Sequence, residues 1–323
     1  MGMGLKSTLL MLCVSCCSWA QFQLHGRVFQ ANSRESLAFA NIKIQGDHTA
    51  TLIADIDGQF HWKGTWQPRN ITASFVGFQP QTVAWTADHP LFFYLNPSSD
   101  ALNEVVVNQK ENPAWRIIRA ASARVEQNNP ENYPWFSYEC YNKVQYNIRG
   151  HKVDSIRASL DKRLQNSPLF LMESVTRRQF KAPNASTEEI LANRVSGFKD
   201  PSFASLATDL QPFSFYQPHI DLLNIHYVNP LRKGSLKLYH YQLRDTLLIH
   251  GDSVFVIAYR PLKNTRFDGL KGVLYINNNG WALQNVTAEP AEPGKINVKI
   301  EQKYQRTPEG KWFPEQLNYE LVF

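Results

Sequence analysis

The chain has 323 residues, a formal net charge of +6, 19% charged residues and 12% aromatic residues. So many rings against so few charges exclude a disordered polyelectrolyte and favour a β-rich globular fold. The basic residues fall in scattered pairs such as Lys162-Arg163, Arg177-Arg178 and Arg232-Lys233, with no basic stripe interleaved with aromatics, so no nucleic-acid partner is expected and mild attraction to anionic surfaces is the most this charge supports.

In the first twenty residues Lys6 precedes the apolar run Leu9-Leu10-Met11-Leu12-Cys13-Val14, and Ser18-Trp19-Ala20 places small residues just before Gln21. That order is expected of a cleavable signal peptide over residues 1–20. The apolar core is far below the roughly 18–20 residues that span a bilayer, which argues against an anchor. A lipoprotein signal would need a Leu-small-small run ahead of Cys13, Cys16 or Cys17, and none of them has a convincing one.

Removing residues 1–20 leaves Cys140 as the single cysteine, so no internal disulfide can form. Stability must come from buried cores, and a mature chain of about 300 residues is long enough for two ordinary domains. Cys140 lies in the alternation Tyr138, Cys140, Val144, Tyr146, Ile148 and is expected to be a small hydrophobe on the buried face of a strand, not a reactive thiol.

Residues 21–107 read as eight short strands: Leu24 to Gln30, Phe39 to Gln45, Thr51 to Ala54, Gln59 to Lys63, Ile71 to Val76, Thr82 to Trp85, Leu91 to Leu95 and Glu104 to Val107. Their close spacing predicts a sandwich. Ala40, Ile42 and Ile44 alternate with Asn41, Lys43 and Gln45, so one face meets a core and the other meets water. Asp55-Ile56-Asp57-Gly58 supplies side-chain acceptors and a residue that tolerates positive φ, and reads as a tight hairpin turn.

Five phrases of this segment occur in a familiar order: Gly26-Arg27-Val28, then Leu37 to Ile42, Ala54 to Phe60, Ser74 to Phe78 and Leu102 to Val107. On these the segment resembles the carboxypeptidase regulatory-like module, a transthyretin-like β-sandwich. It departs from that pattern at Ala54, where the family usually has Thr or Ser before the Asp of the turn. The resemblance does not bring peptidase chemistry with it. A metallocarboxypeptidase needs His and Glu close together to hold zinc, with a separate general base, and no His-x-x-Glu or His-Glu-x-x-His occurs among the nine histidines. Asp55 and Asp57 would leave most of the six to eight oxygen positions of calcium empty, so a structural turn is expected there.

A polar linker, 108–112, precedes Asn112-Pro113, an N-cap followed by proline at the first helical position. The second domain, 113–323, is expected to open with a helix from Pro113 to about Gln127, with Trp115, Ile118, Ser122 and Val125 on its packed face and Ala121 beside them. A strand (Tyr138 to Ile148), a polar helical stretch (Val153 to Gln165), another strand (Phe170 to Phe180) and a short helix starting near Thr187 follow. Beyond an aromatic and proline-rich segment, Ser202 to Asn229, the pattern becomes an antiparallel meander with one wet face. Its expected turns are Gly251-Asp252, Asn277 to Gly280 and Thr307 to Gly310, and Ile296, Val298 and Ile300 alternate with Asn297, Lys299 and Glu301.

This region carries the phrases Tyr141-Asn142-Lys143, Glu173 to Arg178, Val195 to Lys199, Gln211 to Tyr216, Gly269 to Ile276 and Lys311 to Pro314. It resembles the uncharacterised domain that follows the regulatory-like module in Gram-negative envelope proteins, whose remaining residues look like an outer-membrane β-barrel. The expected fold is therefore mainly β: a transthyretin-like sandwich, then an α+β domain with a helix and a curved antiparallel sheet that could begin a barrel.

Three functions follow as expectations. The first is a non-enzymatic exported protein that binds an envelope protein, glycan or lipid at the periplasmic side of the outer membrane. The second is a truncated member of an outer-membrane barrel receptor or transporter-like family, suggested by the alternation Leu317, Tyr319, Leu321, Phe323; five or six strands after Ser235 fall short of the about eight that a membrane barrel needs. The third is a hydrolase built from His219, Asp221, His226, His250 and Asp252. No P-loop, nucleophile elbow or dinucleotide fingerprint is present, and no catalytic, cofactor-binding or metal-binding residue is nominated.

Overall fold

Period-two alternation puts one side of each early strand against a core, and the first unit closes accordingly. The computed structural model describes residues 21–87, 89–98, 112–146, 170–183, 185–197, 214–222, 225–263, 265–292 and 297–322, and the chain divides into two units. The first holds β1 (Phe22–Gln30), β2 (Asn41–Gly46), β3 (Thr49–Ile53), β4 (Gln59–Gly64), β5 (Pro68–Ser74), β6 (Gln81–Ala84) and β7 (Leu91–Leu95). The expected strand at 104–107 lies outside the described residues, as does the signal segment 1–20.

The strands form two sheets, β3-β2-β5-β6 and β4-β1-β7, with β1 antiparallel to β4 and parallel to β7. Ile42, Ile44, Ile71 and Ala73 of one sheet meet Leu24, Val28, Phe60, Phe93 and Leu95 of the other. Each fully buried large side chain among them contributes roughly 1.5–3 kcal/mol. Gly26 sets the packing distance, since a Cβ there would lie 2.1 Å from the carbonyl oxygen of Leu91 and 2.6 Å from the Phe60 ring.

The turn at Asp55 is as tight as expected but does not join a hairpin. Asp55 N–H donates to the Gln59 carbonyl at 2.8 Å and Gly58, at φ +73°, donates to the Asp55 carbonyl at 3.0 Å. The strands on either side belong to different sheets, β3 pairing with β2 and β4 with β1. The turn is the corner where the chain crosses the sandwich. Asn41, placed on the wet side by alternation, is also buried, at 7% exposure.

The second unit opens with α1 (Pro113–Ala123), capped as expected: Ala114 N–H donates to Asn112 Oδ1 at 2.9 Å. Asn112 Nδ2 also donates to the Tyr241 carbonyl at 2.7 Å, which ties the helix start to the sheet. The helix breaks at Arg124, and a short α2 (Val125–Asn128) and a 3-10 turn at Pro130–Asn132 follow. Its buried face is Ala114, Ile117, Ile118 and Ala121, with Trp115 37% exposed. The small alanines let the backbone approach the sheet, and the bulk of Trp115 turns the expected stripe away by about one residue.

Next come β8 (Trp135–Tyr146), β9 (Phe170–Lys181) and β10 (Ala185–Gly197), an antiparallel sheet in the order β10-β9-β8. The expected helix near Thr187 is thus a strand. Thr187-Glu188-Glu189 imitates a capped helix start, but Glu189 sits across from Arg177 and Glu188 across from Arg178. Arg177 reaches Glu139 at 2.7 Å and Glu189 at 3.4 Å, spanning all three strands. Cross-strand pairing overrides the local preference. The expected helix at Val153–Gln165 lies outside the described residues.

The hairpin β11 (His219–Leu222) and β12 (Ile225–Val228) leads into a six-stranded meander: β13 (Tyr239–Ile249), β14 (Asp252–Pro261), β15 (Leu270–Asn277), β16 (Ala282–Pro290), β17 (Asn297–Arg306) and β18 (Trp312–Val322), in sequential order. Bulges interrupt β13, the β15–β16 pairing and the β17–β18 pairing, and bulges bend strands. No closed barrel forms among the described residues. The β13–β14 turn is His250-Gly251, one residue earlier than expected, with both residues at positive φ as a two-residue hairpin demands.

The expectation of one wet face fails at the sheet centre. Leu274 and Ile276 point into the core that α1 covers, while Val254, Val256, Val273 and Tyr275, on alternate positions, are buried too. Glu301, placed in water by alternation, is likewise buried, held by Lys299 Nζ at 2.6 Å and Asn318 Nδ2 at 2.8 Å. A run as apolar as Val273-Leu274-Tyr275-Ile276 is the pattern of a strand covered on both sides.

Candidate functional site

The ionisable residues picked out by sequence divide sharply. β11 and β12 bring His226 Nδ1 to 2.5 Å from Asp221 Oδ1, and Arg232 Nη1 lies 3.4 Å from His219 Nε2. The His226–Asp221 pair is more than two-thirds exposed. Among the described residues His226 is bonded to no hydroxyl or thiol. His250 lies in the separate β13–β14 turn and Asp252 opens β14 beside it. No group of three or more His, Cys, Asp or Glu among the described residues could hold a metal ion.

Asp55 and Asp57 serve the turn. Asp55 Oδ1 accepts from the N–H of Asp57 at 3.0 Å and of Gln59 at 2.7 Å, and the Asp57 carbonyl accepts from Arg27. Cys140 is half-buried, where a fully buried face was expected, because its neighbours in β8 and β9 are the polar Asn142 and Thr176. Its thiol donates to Asn142 Oδ1 at 3.3 Å. Burial, then the charge of Glu188, pushes the thiol pKa up and keeps it in the unreactive protonated form.

The side chains that are organised yet open to solvent lie on the outer face of β4-β1-β7. Alternation turns Gln23, His25, Arg27 and Phe29 of β1 outward, with Gln59, His61 and Lys63 of β4 and Phe92 and Tyr94 of β7. Register sets His25 beside His61, their rings 5.9 Å apart and nearly parallel, and Phe29 beside Tyr94, 5.4 Å apart at 16°. Phe92 is 52% exposed and 6.4 Å from Phe29.

Two guanidiniums cap these rings. Arg27 lies 5.2 Å from the Phe29 centroid and Arg34 4.3 Å from that of Tyr94. Arg34 reaches over β7 from a loop position at φ +61°. Arg27 is held by Nε to the Asp57 carbonyl at 2.8 Å and Nη2 to Ser36 Oγ at 2.7 Å. β1, β4 and β7 contain no Asp or Glu. Sequence reading passed over this face although the period-two rule that assigned the core also assigns its complement. Arg34, from a loop, left no such signal.

In the second unit, by contrast, polar groups are turned inward and used up. Phe215 N–H donates to Tyr304 Oη at 2.8 Å, and Tyr304 Oη donates to Gln302 Oε1 at 2.7 Å. Leu283 N–H donates to Tyr216 Oη at 2.7 Å, and Tyr241 Oη donates to the Pro230 carbonyl at 2.5 Å. Asn229 Nδ2 donates to the carbonyls of Phe215 and Gln217, while its Oδ1 accepts from Leu231 N–H at 2.7 Å. Desolvation pushes the pKa of Tyr239 up to about 12 and raises those of Tyr216, Tyr241, Tyr259, Tyr275 and Tyr304. These hydroxyls are scaffolding.

Fold and face together define a protein in which a β-sandwich module with an exposed cation–aromatic surface precedes a larger, mainly β unit with one helix at its start. Residues 24–107 match the CarboxypepD_reg-like domain, and residues 117–323, more than half of the chain, match the family of unknown function DUF5686. The chain belongs to the DUF5686 family. Neither a curated protein nor a solved structure matches it.

Proposed function

We propose that this chain is a non-enzymatic, exported binding protein of the Gram-negative cell envelope, acting at the periplasmic side of the outer membrane. The observation that carries the binding role is the outer face of β4-β1-β7, where Phe92, Tyr94 and Arg34 stand exposed beside the half-buried Arg27. Export is supported by the Lys6, apolar-run and Ser18-Trp19-Ala20 order of residues 1–20. The CarboxypepD_reg-like and DUF5686 matches fit a module without chemistry of its own.

A second reading, a member of an outer-membrane barrel receptor or transporter-like family, rests on β18, which pairs with β17 alone among the described residues. One pair of measurements tests both. The tagged chain is expressed in a Gram-negative host and fractionated, with its N-terminus sequenced, and the chain begun at Gln21 is purified without detergent. A periplasmic protein starting at Gln21 that purifies as a monodisperse, detergent-free species supports the binding protein. Retention in the cytoplasm with an intact N-terminus overturns it. Extraction from the outer membrane only by detergent, with resistance to unfolding in gel buffer, supports the barrel reading instead.

A further inference from the structure

We infer that the outer face of β4-β1-β7 binds an anionic polysaccharide, with its carboxylates on the Arg27 and Arg34 guanidiniums and its sugar rings against Phe92 and Tyr94. This rests on the binding reading above and names its ligand class. The argument begins with charge. The outward positions of the three strands carry Arg27 and Lys63 and no carboxylate, and the loop adds Arg34. Among the described residues neither guanidinium is bonded to a carboxylate. A surface of this kind attracts an anion before any contact forms.

Preorganisation is the second element. Arg27 is fixed by the Asp57 carbonyl and Ser36 Oγ and stacked on Phe29, so little side-chain freedom remains to be lost when a ligand arrives. Its Nη1 hydrogens stay available for a planar oxyanion, the geometry that guanidinium recognises best.

The rings decide between anions. Arg34, Tyr94, Phe29 and Arg27 form one chain of stacked groups, at 4.3, 5.4 and 5.2 Å. The faces of Phe29 and Tyr94 are therefore taken, and a nucleic acid, which needs bare ring faces on which to lay its bases, finds few. What remains is the exposed Phe92, ring edges and the Tyr94 hydroxyl, an amphipathic surface suited to the C–H faces and hydroxyls of saturated sugar rings. An acidic peptide would satisfy the charges but gains nothing from that apolar strip. It would also find the edge N–H of Tyr94 already bonded to Gln81 Oε1 at 2.8 Å, where strand addition to β7 would begin.

The test uses the chain from Gln21 and α-1,4-linked hexagalacturonate as probe, with maltohexaose, hexaglutamate and a thymidine hexanucleotide as comparators, by titration calorimetry at physiological salt. The proposal expects binding of hexagalacturonate, no binding of the neutral maltohexaose, and weaker binding of hexaglutamate and the hexanucleotide. Arg34→Gln and Phe92→Ser should each weaken hexagalacturonate binding by about tenfold. Lys43→Gln, which removes the same charge from β2 on the other sheet, should leave it within about twofold. Circular dichroism confirms that each variant is folded.

No binding of hexagalacturonate, equal binding of all three anions, or an equal loss in Lys43→Gln overturns the assignment. A periplasmic, detergent-free chain that fails these arms retains the binding-protein reading and loses its ligand class. A chain retained in the cytoplasm loses the envelope reading whatever it binds.

Discussion

Raising the pH through 10 to 12 should unfold the second unit, and the buried tyrosines set where. Tyr216, Tyr239, Tyr241, Tyr259, Tyr275 and Tyr304 are each at most 3% exposed, and burial raises every one of their pKa values above 10, that of Tyr239 to about 12. In the unfolded chain the same phenols ionise near pH 10. Between the two values the folded state therefore holds protons that the unfolded state has released, and stability falls as pH rises. One unit above the unfolded pKa, each tyrosine contributes a loss of about 1.4 kcal/mol. Six of them remove about 8 kcal/mol by pH 11, comparable to the whole stability of an ordinary domain. Well below pH 10 the loss is absent. The assay follows tyrosinate absorbance and circular dichroism together during an alkaline titration. Two classes of phenol are expected: exposed ones ionising near pH 10 with the fold intact, then a cooperative class that appears together with the loss of β signal. Ionisation of all thirteen tyrosines in one step near pH 10, with the fold unchanged, would refute the reasoning.

Three further outcomes follow from single sites. Asn229→Ala removes the bonds that hold the Phe215 and Gln217 carbonyls and the Leu231 N–H and should lower stability by about 3–5 kcal/mol; a urea midpoint within error of the parent would contradict it. Gly26→Ala forces a Cβ to 2.1 Å from the Leu91 carbonyl oxygen, so β7 must move, at a cost of about 2–3 kcal/mol in the thermal unfolding of the first unit. Arg177→Ala breaks the Glu139–Arg177–Glu189 ladder, whose members are all more than 40% exposed, and should lower the thermal midpoint only slightly, with the difference vanishing in high salt; a large drop that persists in salt would contradict it.

The first unit was legible because its strands alternate cleanly and its corner announces itself as Asp55-Ile56-Asp57-Gly58. That the corner crosses between sheets was not legible, because local hydrogen bonding around Asp55 is the same in a hairpin. Thr187-Glu188-Glu189 misled for a related reason: the helix signal is local, while the Arg177 and Arg178 partners that make β10 a strand stand in another strand. Trp115 drew the helix stripe toward itself by size, whereas Ala114 and Ala121 decide it by their smallness. The two-sided burial of β15 was written in Val273-Leu274-Tyr275-Ile276, a run with no polar break. Of the candidate face, the β1 and β7 residues could be read from alternation. Arg34 could not, since nothing in its own stretch says that it lies over Tyr94.

Three of the phrases by which the second unit is recognised fall on its frame. Gln211 to Tyr216 ends in Phe215 and Tyr216, both buried, and Gly269 to Ile276 is the central strand β15. Trp312, in Lys311 to Pro314, is buried with its indole N–H on the Asn279 carbonyl. Such residues hold the frame, so resemblance there transmits fold and carries no information about a ligand. On the outer face of β4-β1-β7 the constraint is reversed. Phe92 contributes nothing to the sandwich core, and the Arg34 side chain extends over Tyr94, so both can be replaced at little expense to folding. A loss of binding there with stability unchanged is the signature of function, and the same substitutions in the buried tyrosine network could never separate the two.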